Sequence, residues 1–170
     1  MDLPFEVVEL GDSDHPTEGD EAPDFRRPLV TEEFWEDRAL SELLADGPVL
    51  LVFYTMDGAF PATYIWNELR DREVGDHGVR VVGLSVSTPY EHADLIEERG
   101  MDFPLFSDPA NEVAEQYDIV NGMDGMTGVA EPRPATFLVD EDRVVRYAWV
   151  AEEWPEFPDY DELEAALTEV

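Results

Sequence analysis

The chain contains no cysteine. That absence excludes disulfides, thiolate metal ligation and thiol catalysis by its own side chains. Lysine is absent as well. The 10 basic residues are all arginine and stand against 42 acidic ones, which sets the formal net charge at −32. No basic cluster exceeds Arg26 and Arg27, so no nucleic acid and no membrane surface is an expected partner. The histidines, His15, His77 and His92, are scattered without ligand spacing, and no metal and no cofactor are expected. Asp12, Asp14 and His15 sketch a cation site, but a solvated loop is the expected reading. The start, Met1 to Glu6, lacks a basic region and an apolar signal core. No apolar run approaches the length of a membrane span. The expected location is cytoplasmic.

What is present can fold. Hydrophobic residues make up 44% and aromatics 11% of 170 residues, ample for one domain with a sizeable core. The acids are spread evenly and interrupt regular apolar patterns, which argues against a disordered acidic tail. They suit a surface bathed in molar salt, where the Debye length falls to about 3 Å. In dilute buffer the same charge would push the compact state apart. A halophilic setting is therefore expected. Residues 1–18 read as a lead-in, with an alternating piece from Phe5 to Leu10 and a polar, turn-rich, mobile stretch beyond it. The domain proper is expected over 19–170.

Val49 to Tyr54 is a continuous apolar run, as in a central parallel strand covered on both faces. A loop marked by Asp57 and Gly58 follows, then a helix from about Thr63 to Arg72 that carries Trp66, Leu69 and Arg70. Leu40, Leu43 and Leu44 make a short amphipathic helix before it. Val79 to Val86 reads as a second buried strand. Pro89 opens a helix that turns Tyr90, Ala93 and Ile96 to one face and ends at Gly100. Phe103 to Phe106 reads as an apolar link, and Ser107 to Pro109 as the cap of a helix with Val113, Ala114 and Tyr117 inward. Gly122 to Pro132 is a glycine-bearing loop without the lysine of a phosphate cradle. Pro134–Asp140 and Arg143–Val150 form an expected antiparallel hairpin whose turn, Glu141 and Asp142, lacks glycine. Trp154 to Pro158 reads as a rigid linker. Leu163, Ala166, Leu167 and Val170 make a final helical stripe.

The order of these motifs resembles the alkyl hydroperoxide reductase/thiol-specific antioxidant family, the peroxiredoxins. The resemblance rests on Gly19–Phe25, on Leu50–Tyr54 with Arg70 and Asp71, on Val82–Val86 and Phe103–Pro109, on Val113, Ala114 and Tyr117, and on Thr136–Asp140. It covers roughly residues 19 to 150. It implies an α/β, thioredoxin-like (peroxiredoxin-type) sandwich: a mixed central sheet, flanking helices, and a C-terminal β-hairpin plus helix.

The family's chemistry uses a cysteine in the first turn of the helix after the central strand. A helix N-terminus and a nearby arginine favour its thiolate. The resemblance places that cysteine at Ala62, the pocket threonine at Ala59, the pocket proline at Thr55 and the arginine at Pro134. Arg133 is adjacent but is expected to point elsewhere. A resolving cysteine found in some members falls at Asn67. Pro134 matches instead the proline of the thioredoxin fold that is often cis. Every carried-over catalytic position has changed, so no catalytic residue is expected and thiol peroxidase activity is not available.

Met56, Asp57, Phe60, Tyr64, Trp66 and Arg133 remain as binding candidates. The aromatics are expected to form an apolar docking surface, with Trp66 turned inward by the helical period. Asp57 is more ordinary as a turn residue than as a general base, Thr63 as a first-turn or capping residue, and His92 as a surface residue beside Glu91. The expected function is a non-catalytic binding or interaction module, with a protein partner or a homo-oligomer such as a dimer. The alternative is an antioxidant or oxidoreductase role that borrows a partner's thiol or uses non-thiol chemistry at Asp57, Thr63 and Arg133.

Overall fold

The computed structural model describes residues 8–101, 103–121 and 128–170. In chain order the strands are β1 (Val8–Glu9), β2 (Arg26–Val30), β3 (Trp35–Ala39), β4 (Val49–Phe53), β5 (Arg80–Ser85), β6 (Leu105–Ser107), β7 (Val120–Asn121), β8 (Glu131–Pro132), β9 (Ala135–Val139), β10 (Val145–Val150) and β11 (Glu153–Trp154). The helices are α1 (Leu40–Leu44), α2 (Phe60–Asp71), α3 (Pro89–Arg99), α4 (Glu112–Gln116) and α5 (Tyr160–Thr168). Seven strands form one mixed sheet in the order β10-β9-β4-β5-β6-β2-β3. β4, β5 and β6 run parallel, and antiparallel pairs close both sides. This is the mixed α/β sandwich that the motif order implies.

β4 sits at the centre because all five of its residues are apolar and buried. The period of two sends Val49, Leu51 and Phe53 to one face and Leu50, Val52 and Tyr54 to the other. The first set packs with Phe25, Phe106, Tyr117 and Phe137. The second packs with Ile65, Trp66 and Leu69 of α2 and Leu163 and Leu167 of α5. Gly83 of β5 lies under Trp66: a Cβ there would come within 2.5 Å of the indole Cζ2 and 2.6 Å of Leu105 Cδ2. The sheet can hold Trp66 flat against it only while that position has no side chain.

Several sequence expectations change. β2 and β3 form a hairpin at the sheet edge that the sequence does not announce. β3 carries Glu36, Asp37 and Arg38 and is mostly exposed, so it lacks an alternating pattern; charge on an edge strand opposes pairing with other chains. The apolar link at Leu105 is strand β6, held between β5 and β2. α3 turns His92 and Ile96 inward, while Tyr90 is 71% exposed. α2 begins at Phe60 rather than Thr63, with Ala62, Ile65, Trp66 and Leu69 on its buried face. The residues from 8 onward are tied to the body, since Leu10 N–H donates to Glu152 O at 2.9 Å and Asp14 N–H to the Asp118 carboxylate. The peptide bond before Pro134 is trans; a cis bond lies between Trp154 and Pro155. Of the glycine-bearing loop, 122–127 lies outside the described residues.

The expected hairpin is β9 and β10. Its turn needs a left-handed residue, and Arg143 supplies it at φ 64°. Asp140 offsets the missing glycine by accepting the N–H groups of Asp142 and Val144, each at 2.9 Å. Among the described residues no helix is long and apolar enough to cross a membrane.

Candidate functional site

β4 delivers the chain into the loop Tyr54–Ala59, and α2 carries it away. Ala135 pairs with Phe53, so Pro134 continues beside the exit of β4. The helix starts poorly. Ala59 is its N-cap and offers no side-chain hydrogen bond, and the first turn holds no acid. The other helices all carry a glutamate or aspartate in that turn. Ala62 is buried in the first turn. Thr63 is a first-turn residue whose N–H reaches Ala59 O at 3.0 Å.

Under the loop lies a polar network that the sequence reading missed. His92 is fully buried, which corrects the surface expectation. Its Nδ1 is 2.8 Å from Asp57 Oδ2, and its Nε2 is 2.9 Å from Phe106 O. A carbonyl can only accept, so Nε2 carries a hydrogen. Nδ1 facing a bare carboxylate would set lone pair against lone pair, so a proton lies between His92 and Asp57. Tyr54 donates its hydroxyl to Asp57 Oδ1 at 2.6 Å. The Asp57 N–H donates to Ser87 Oγ at 2.8 Å, and Ser107 Oγ–H donates to Ser87 O at 2.6 Å. Desolvation holds the Tyr54 phenol well above the ordinary tyrosine range, and the Asp57 charge adds to it. Asp57 is thus a latch between the loop, α3 and β6 more than a free turn residue. The available signal was periodicity: His92 and Ile96 are an i, i+4 pair on one face of a helix.

The candidates divide by exposure. Trp66 is 6% exposed and packs edge-on to Tyr54 at 5.4 Å between ring centroids, with Phe103 at 5.5 Å. Phe60 and Tyr64 stay exposed and touch each other at 4.9 Å. Phe157, from the segment read as a linker, joins them at 5.8 Å from Tyr64. Met56 is half-buried and Thr55 buried. Between α2 and α3 runs a narrow cleft of about 30 Å³, lined by Ala62, Trp66, Asn67, Arg70, Arg99 and Phe103 among others. The structure does not bring Arg133 into it. The arginine turns away and donates to Ala151 O at 3.3 Å. Asp12, Asp14 and His15 do not assemble, and among the described residues no group of three or more acids or histidines could hold a metal ion.

A strand-loop-helix at the centre of such a sheet defines a thioredoxin-like redoxin domain. Comparison with known proteins specifies which. Residues 18–148 match the model of the AhpC/TSA family. A candidate peroxiredoxin of Mycobacterium tuberculosis is 34% identical over 129 residues, which span 75% of this chain and 80% of that one. The crystal structure of the peroxidoxin BcpB from Mycobacterium tuberculosis superposes with a TM-score of 0.76 at 31% identity, covering 92% of this chain and 99% of the other. The reduced 2-Cys peroxiredoxin of Plasmodium vivax shares the fold, with a TM-score of 0.74 at 20% identity over 89% of this chain and 80% of its own. The chain belongs to the AhpC/TSA family, and it does so without a cysteine.

Proposed function

We propose that this peroxiredoxin-family chain is not a thiol peroxidase but a binding or interaction module that acts through the loop Thr55–Trp66 and the adjoining Pro134 segment. The supporting observation is an exposed aromatic face. Phe60 is 49%, Tyr64 56% and Phe157 37% exposed, and the three rings touch in sequence. Phe60 and Tyr64 stand on the first turns of α2, where the family carries its thiol, which here is Ala62, and Phe157 packs beside them from the segment before α5. Contiguous exposed aromatics favour an interaction surface over a solvated one. The occupant is a protein, either an unlike partner or a second copy in a homodimer. A Phe60→Ala/Tyr64→Ala pair should abolish capture of a partner by crosslinked pull-down in molar KCl, and should dissociate any dimer seen by sedimentation. Undiminished capture together with an unchanged mass would reject this surface.

A redox role is the second reading, favoured by the acid–base pair of Asp57 and His92 directly beneath the loop. It would need a partner's thiol or non-thiol chemistry. Peroxide consumption with a thiol donor in molar KCl separates the two readings. Methionine oxidation consumes peroxide stoichiometrically, so only many turnovers per chain would favour the redox role. In either case the net charge of −32 points to a cytoplasm of molar salt. Dialysis into dilute buffer should abolish cooperative unfolding, and an unchanged far-UV spectrum and melting temperature there would refute the halophilic setting.

A further inference from the structure

Arg133 raises a question that the loop does not answer. It is 6% exposed. Its Nε has no hydrogen-bond partner, and Nη1 makes the single long bond to Ala151 O. Among the described residues no carboxylate comes within ion-pair distance of it. The acid whose field it feels is Asp118, and that carboxylate is occupied by the Asp14 N–H at 2.6 Å. Burial pulls the guanidinium below the usual arginine range. Other arginines with reduced exposure are paired: Arg72 meets Glu68, Asp161 and Glu164, and Arg27 meets Asp108 and Glu112, whereas Arg80, which makes no ion pair among the described residues, is exposed. With 42 acids for 10 arginines, a partner was easily available. A buried charge left without one is strongly unfavourable, and no described residue supplies its counter-ion.

Arg133 lines a pocket of about 560 Å³ between the loop Leu10–His15 and the strand end Val150–Glu153. Four carboxylates also line it: Glu9, Asp12, Glu152 and Glu153. All four residues are exposed. Such a rim repels a simple anion and attracts a cation. A simple cation would in turn meet the guanidinium. The combination selects a ligand that carries both charges. None of the pocket's residues lines the cleft beside Ala62, although Arg133 and Ala151 adjoin Pro134.

We propose that this pocket binds a small zwitterion, with its carboxylate on Arg133 and its ammonium or quaternary ammonium group among the rim carboxylates. Calorimetric titration of the full chain in molar KCl tests it with four probes: L-alanine, glycine betaine, acetate and tetramethylammonium. At least one zwitterion should saturate with a Kd about tenfold or more below that of acetate and of tetramethylammonium. The contrast between alanine and betaine shows whether the rim needs N–H donors. Arg133→Met should abolish this binding while leaving the melting temperature unchanged or higher, because it removes an unpaired buried charge. Glu152→Gln with Glu153→Gln, at exposed positions, should weaken the zwitterion several-fold and leave acetate no weaker. Equal binding of acetate and the zwitterions, saturation by none of the probes, or full zwitterion binding by Arg133→Met would each overturn the proposal.

Discussion

Two of the places where this molecule buries ionisable side chains are built in opposite ways. At Asp57 and His92 every polar atom of the pair is engaged, by Tyr54, by Phe106 O and by the shared proton. At Arg133 one nitrogen makes a 3.3 Å bond and another makes none. Both are largely buried, yet only the first is complete. A completed buried pair fixes conformation, because removing either member strands the other. An incomplete one is a standing cost that an external group can relieve. The contrast separates a closed latch beneath the loop after β4 from a pocket on another face.

The largest effect should come from breaking the complete pair. His92→Ala leaves Asp57 Oδ2 buried without its hydrogen-bond partner, and an unsatisfied buried polar or charged group costs about 3 kcal/mol or more. Denaturant unfolding in molar KCl measures it. Arg133→Met, which also deletes a buried cationic side chain, should cost nothing or stabilise. If the two variants lose comparable stability, the distinction between the sites collapses.

The pH dependence sharpens the same contrast. Tyr54 and Tyr117 have phenols held above the usual range, mainly by burial. Tyr160 is pushed up to about 12, also by burial first. A group whose pKa is higher in the folded state than in the unfolded one stabilises fully below the unfolded value, here about 10. That stability is lost as pH rises toward the folded value, because the unfolded chain gives up the proton first. Absorbance at 295 nm should therefore show Tyr54 and Tyr117 ionising only together with unfolding, in a transition that begins near pH 10. Tyr54→Phe should delay that transition while weakening the fold at neutral pH by about 1–3 kcal/mol, since Asp57 Oδ1 loses its donor. Ionisation of the Tyr54 phenol in the folded chain would mean that the latch is open to water.

Much of the fold was legible because its central elements are strongly patterned. The run Val49–Phe53, the stripe Leu163 and Leu167, and the hairpin around Asp140 follow directly from hydrophobic period and turn chemistry. The edge hairpin of β2 and β3 was not, because an exposed charged strand carries no apolar period. The candidate site was legible as an absence: the resemblance puts Ala62, Ala59 and Thr55 where the family's chemistry resides. What replaced it was harder to see. Asp57 and His92 come from separate elements and meet only through the parallel pairing of β4 and β5. Arg133 was expected to point away from the loop, but its lack of a partner is a property of packing that residue identity cannot convey.

The smallest effect tests whether the latch stands in for the missing cap. Ala59 begins α2 with no side-chain acceptor for the exposed N–H groups of the first turn. A serine there should bond one of them and add about 0.5–2 kcal/mol. Ala59→Ser made in the His92→Ala background distinguishes two roles for the pair. If the latch holds the loop so that the uncapped helix can start, the serine should recover more stability there than in the parent chain. The two sites would then be coupled through the loop Asp57–Ala59. If the gains are equal, the pair acts only on α3 and β6, and the loop above it is held by the burial of Tyr54 and Trp66 alone. Equilibrium unfolding of the four chains in one salt condition completes the cycle.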